Sequence, residues 1–123
     1  MKTVLLILRL LLGLVFLVFG LNGFLHFIPN MPMPSPATSF FGALAATGYM
    51  IDLIFITQIV GGALLLIGVA VPFALTILAP VIVNIFFFHL YLAPQGLPIA
   101  IVVCLIEIVV AWSRRTSFGP LFA

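Results

Sequence analysis

Four long apolar stretches, separated by short breaks rich in proline and glycine, take up most of this 123-residue chain. Hydrophobic side chains make up 66% of it and charged ones 5%, too few charges to cover a soluble surface of this size. The charged residues are Lys2, Arg9, Asp52, Glu107, Arg114 and Arg115. The predicted fold is therefore an all-α membrane protein forming one domain over residues 1–123. It is a four-transmembrane-helix bundle with a short interfacial helix between spans one and two. The spans are expected at about 4–25, 51–70, 73–93 and 98–112, near the roughly 20 residues a bilayer requires.

The first apolar run follows Lys2 as a signal peptide would, but it is long enough to span and no small-x-small cleavage site follows it. It is read as a retained span. On it Arg9, Gly13, Phe16, Gly20, Gly23 and Phe27 share a narrow sector at helical spacing, a face open to a closely packed neighbour. Pro29 ends the run. Ser35-Pro36 then suits a helix start and Gly48 a helix end, predicting a short helix at about 36–47. Too short to span, it is expected to lie at the interface or over the bundle mouth as an extracytoplasmic cap.

In span two, Asp52 complements the helix dipole, and Gly61, Gly62 and Gly68 offer close packing. Val71-Pro72 is the only predicted break before span three, where Pro80 should kink the helix and free the carbonyl of Thr76. Lys2, Arg114 and Arg115 flank spans one and four, while the predicted outer loops contain no Lys or Arg. The positive-inside rule then puts both termini in the cytoplasm of a bacterium, with a multi-pass chain in the inner membrane and Trp112 at the inner interface. The same distribution speaks against nucleic acid as a partner, because the basic excess is membrane-flanking. Cys104 stands alone, so an internal disulfide and a Cys-x-x-Cys redox pair are both excluded.

Two groups of intramembrane polar residues are the candidate sites. Arg9 and Glu107 each lie seven residues inward from a flanking cation, roughly 10 Å into the membrane at 1.5 Å per residue. That matched depth suggests an ion pair closing the bundle, structural rather than catalytic. The alternative is that Arg9 snorkels to the headgroups while Glu107 is uncharged or paired with Arg114 or Arg115. The second group, toward the outer half, is Asn22, His26, Gln58, Asn84 and His89, with Asp52 at the rim. These could share a ligand pocket walled by Phe24, Phe27, Phe86, Phe88 and Tyr91. A quinone would suit it, because quinone carbonyls accept hydrogen bonds and histidine can relay protons. Haem ligation by His26 and His89 is the weaker alternative, with no second histidine pair to support it. Ordinary interhelical hydrogen bonding also accounts for these residues, and Asn84 and His89 are about 140° apart on an ideal helix. No catalytic residue is identified and no metal site is expected.

With these features in place the chain resembles the DoxX family of small bacterial membrane proteins. The resemblance is carried by LRLLLGLVFLVFGLNGFLHFIP (8–29), ALAATGY (43–49), GGALLLIGVAVPFALTILAPVIVNIFFFHLYLAPQG (61–96) and the late Glu107. It implies a four-helix bundle, and by position it implies roles for Arg9, Asn22, Asn84, His89 and Glu107. Where an acidic residue is expected in many relatives, this chain has Gln58. DoxX-like proteins are linked to redox membrane complexes, and the wider superfamily includes the DoxD-type subunit of thiosulfate:quinone oxidoreductase. The expected function is a small subunit of a redox-linked, quinone-interacting membrane complex, in contact with lipid and with partner membrane or periplasmic redox proteins or further copies of itself. The alternatives are a scaffold without ligand and, less favoured, a small transporter.

Overall fold

The computed structural model describes residues 1–123. The chain is helical throughout, in the order α1 (Lys2–Leu25), α2 (Ser35–Ala46), α3 (Met50–Ile67), α4 (Val71–Tyr91), α5 (Leu97–Ser113) and α6 (Arg115–Phe118). A 3-10 turn, Pro94–Gly96, leads into α5, and another, Gly119–Phe122, follows α6. Four helices are long and apolar enough to cross a membrane: α1, α3, α4 and α5 with its preceding turn. Only 18 of the 123 residues are buried. Many apolar side chains, Ile7, Leu14, Val60, Val83 and Ile108 among them, are exposed on the outside of the bundle, where only lipid gives them an apolar surround.

The spans pack in a ring, α1 on α3, α3 on α4, α4 on α5 and α5 back on α1. After four crossings both termini lie at one end of the bundle. The α3–α4 turn shares that end, while α2 and the α4–α5 turn occupy the other. The core draws on all four spans, chiefly through Leu12, Phe16, Leu65, Leu75, Leu78 and Val110.

The α1–α3 contact is the closest, and glycine makes it so. A Cβ on Gly62 would stand 2.7 Å from the Gly13 carbonyl oxygen, and one on Gly13 would stand 2.9 Å from that of Gly62. Gly20 likewise lies against the backbone of Phe55 and Ile59. Gly61, on the neighbouring face of α3, receives Leu78 of α4. Small residues that let backbones meet are the usual means of helix association in lipid, where hydrophobic burial offers no driving force. Phe27, expected on this same face, lies beyond the end of α1 and is exposed.

Three terminations differ from the sequence expectation. Gly68 is a helix stop instead of a packing residue: with φ +76° it ends α3, and its N–H donates to the Leu64 carbonyl. The turn therefore begins at Gly68 and includes Ala70, itself left-handed at φ 50°, so span two ends at Ile67 and span three starts at Val71. Helix α2 starts at Ser35 with Pro34 before it, so Ser35 is its first helical residue and makes no cap bond. The segment after α5, expected only as a short basic tail, folds into α6 and a 3-10 turn. Helix α4 continues through Pro80, which has no N–H for the Thr76 carbonyl.

Replacing Gly62 by Val should separate α1 from α3, costing about 1–3 kcal/mol by overpacking. Thermal unfolding in detergent checks this. A Gly42→Val control, where nothing lies within 4 Å of the added Cβ, should leave the midpoint nearly unchanged, and equal shifts in the two would refute the close contact.

Candidate functional site

At the loop end of the bundle a cavity of about 160 Å³ lies between α2, α3 and α4. Gln58, Asn84 and His89 all line it, so three of the five polar residues singled out in the sequence share one site. Asn22 and His26 do not. Asn22 ends α1: its carbonyl accepts from the His26 N–H at 2.9 Å, and its Oδ1 accepts from the Ile28 N–H at 2.7 Å. That bond holds the chain as it leaves the helix, while His26 adopts the left-handed conformation at φ 53° with its side chain exposed. His26 does not line the cavity that His89 lines. Asp52 lies in the first turn of α3 and is exposed.

Each lining polar group is positioned by its helix. Gln58 belongs to the buried stripe of α3 with Gly61, Gly62 and Leu65, spaced three and four apart, and is only 7% exposed. Its amide makes no hydrogen bond with the rest of the chain, leaving the cavity as its polar outlet. Asn84 is also without a protein partner but is exposed at the outer wall. His89 lies in the last turn of α4, and its Nδ1 is 3.1 Å from the Ala93 carbonyl oxygen. A carbonyl can only accept, so the neutral ring carries its proton on Nδ1 and leaves Nε2 as a lone-pair acceptor. Gly96 packs against the Nδ1–Cε1 edge of the ring, where an added Cβ would collide with the imidazole.

The walls are aromatic, though mostly not with the aromatics anticipated. Of those, only Phe88 lines the cavity; Phe24, Phe27 and Tyr91 are exposed, and Phe86 lies elsewhere on α4. Phe40 and Phe41 of α2 and Phe55 of α3 supply the rest. The Phe41 and Phe88 rings meet edge to face at 5.2 Å, and Phe88 meets His89 in the same way at 5.1 Å. Phe40 lies 5.7 Å from Phe88. Helix α2 thus docks on α4 by its phenylalanine pair and forms the lid of the site. Two signals pointed that way: an adjacent pair of phenylalanines on a helix too short to span, and Phe55 one turn before Gln58. The chemistry available is that of an apolar slot holding two amides and one imidazole acceptor.

The matched-depth pair behaves differently from the expected bridge. Both carboxylate oxygens of Glu107 and the Nε of Arg9 are buried without a hydrogen-bond partner, so the two are not joined by a hydrogen-bonded ion pair. Arg9 extends to the α3–α4 turn, its Nη1 3.1 Å from where a Cβ on Gly68 would stand. The physical reason is side-chain direction. Side chains lean toward the N-terminus of their own helix. Arg9 on α1 therefore leans toward the terminus-bearing end, whereas Glu107 on the oppositely directed α5 leans away from it.

The fold is that of a four-span helical membrane protein with a lidded cavity between α2, α3 and α4. The DoxX family model matches residues 4–90, and the chain belongs to the DoxX family. No curated protein and no solved structure matches it.

Without a bridge, Glu107→Gln should change stability by less than about 1 kcal/mol, whereas breaking a buried pair costs about 3–5 kcal/mol. Unfolding of the detergent-solubilised variant decides between them, and a loss in the larger range would restore the bridge.

Proposed function

We propose that this protein is a small subunit of a redox-linked assembly in the bacterial inner membrane, and that its loop-end cavity takes the head group of a quinone. The observation that carries the proposal is the Gln58 amide, only 7% exposed and without a protein partner, in an aromatic cavity it shares with His89. The amide opens on the cavity, where a ligand carbonyl can accept from it. A single flat ring fits the size: about 160 Å³ is below the roughly 300–1,000 Å³ of drug-sized pockets. Phenylalanine faces suit a ring, and an isoprenoid tail would leave toward lipid past Asn84.

The polar groups divide by role. The amides of Gln58 and Asn84 can donate to a quinone carbonyl, and Nε2 of His89 can accept from the hydroxyl of the reduced form. Interconverting the two forms moves two electrons and two protons. Nε2 is the place to hold one of the two protons; the second proton and both electrons pass to or from a partner chain with its own redox group, since the single cysteine provides no thiol pair. With Lys2, Arg9, Arg114 and Arg115 all toward one end, the positive-inside rule favours cytoplasmic termini and a periplasmic lid. A scaffold role through glycine faces is less well supported, because Gly13, Gly20, Gly23, Gly61 and Gly62 are already packed inside the bundle.

The test is solvent extraction and chromatography of quinone from protein purified in mild detergent. The wild type should carry quinone in near-stoichiometric amount. Gln58→Leu and His89→Ala should each lower retention about tenfold, the worth of one buried hydrogen bond. Gly96→Ala, which displaces the imidazole without removing it, should do the same. A wild type free of quinone, with partner proteins still co-purifying, would replace this reading with the scaffold.

A further inference from the structure

The opposite end of the bundle holds a second cavity, of about 230 Å³, between the start of α1 and the end of α5. Lys2, Arg9 and Arg114 line it, three of the chain's four Lys and Arg residues. We propose that this cavity is a binding site for an anionic phosphate group. The inference concerns a different site from the quinone pocket and does not depend on it.

The cations here are unpaired in a way that a solvated basic patch is not. No carboxylate lines the cavity: Asp52 begins α3 at the far end of the bundle, and Glu107 leans away from this one. The Arg9 Nε is buried with no acceptor, and Arg114 is half-buried. Lys2, Arg9 and Arg114 are three like charges on one cavity wall, so each disfavours the others. An anion between them offsets that repulsion.

Arg115 provides the contrast. It donates from Nη1 to the Trp112 carbonyl at 3.0 Å, its guanidinium lies 5.1 Å from the Trp112 ring centre, and it does not line the cavity. Adjacent arginines thus have separate tasks, one holding its own helix end and the other turned to the cavity.

Phosphate fits this donor set better than a compact halide would. Guanidinium forks match its oxygens in pairs, and an ammonium adds a movable point charge. The first-turn N–H groups of α1 add partial positive charge at the rim. The remaining walls are Leu5, Leu6 and Val110, with Ser113 beside Arg114, and Leu6, 45% exposed, carries the apolar surface from the cavity onto the outer face of α1. A phosphate carried on an acyl glycerol would find both surfaces continuous. A free phosphate would use only the cations.

Native mass spectrometry of the detergent-solubilised full chain tests the site, titrating phosphatidylglycerol, diacylglycerol of the same acyl chains, and inorganic phosphate. Phosphatidylglycerol should be retained about tenfold more strongly than diacylglycerol, and Arg114→Gln should remove most of that preference. Lys2→Gln, at the exposed start of α1 where folding is not at issue, should weaken it in the same direction. Arg115→Gln should leave it intact. If inorganic phosphate binds alone and displaces the lipid, the site reads free phosphate; if it does not, the lipid headgroup is the ligand. Equal losses in Arg114→Gln and Arg115→Gln, or no preference over diacylglycerol with no phosphate bound, would overturn the assignment.

Discussion

The contact between Gly13 and Gly62 sets the position of everything else. Because neither residue carries a Cβ, the backbones of α1 and α3 meet almost directly. That fixes the rotation of α3 about its axis, since Gly62 must face α1 while Gly61 faces Leu78 of α4. With the rotation fixed, Gln58, one turn earlier on the same stripe, has to point inward. Its burial is a consequence of glycine packing one turn away, and the polar floor of the cavity follows from an interface that contains no polar side chain.

The spans were legible in the sequence because hydropathy and length report directly on a bilayer. The grouping of Gln58, Asn84 and His89 was legible from depth, but depth could not separate them from Asn22 and His26. Those two lie at a helix end, where Asn22 is occupied with stopping α1. Gly68 shows a similar ambiguity: within an apolar run, a glycine that allows close approach and a glycine that allows positive φ look identical. The docking of α2 left only the faint signal of its adjacent phenylalanines. It depends on Phe40 and Phe41 meeting Phe88, residues more than forty positions apart, and no local pattern encodes that meeting.

Arg9 and Glu107 show what depth matching leaves out. Residues on two helices can stand at one level and still diverge when the helices run in opposite directions, because each side chain leans toward its own N-terminus. In this bundle the divergence divides the polar chemistry between the two ends. Cations collect where the chain begins and finishes, and amides and imidazole lie under the short helix. Between the two cavities the core is closed by Leu12, Phe16, Leu65, Leu75 and Leu78, which argues against a continuous transport path through a single copy.

The arrangement of the upper cavity also bears on how a ligand would reach it. Asn84 is exposed on the outer face of α4, whereas Gln58 is buried behind it, so the polar lining runs from the membrane-facing surface to the interior. Above, α2 closes the cavity with phenylalanine. A water-soluble molecule would have to part those rings, at the cost of exposing them to water. A molecule already dissolved in the bilayer would pass Asn84 sideways and meet Gln58 and His89 without disturbing the lid. Lateral access of this kind selects for an apolar compound with a small hydrogen-bonding head, the class of ligand proposed above for this cavity.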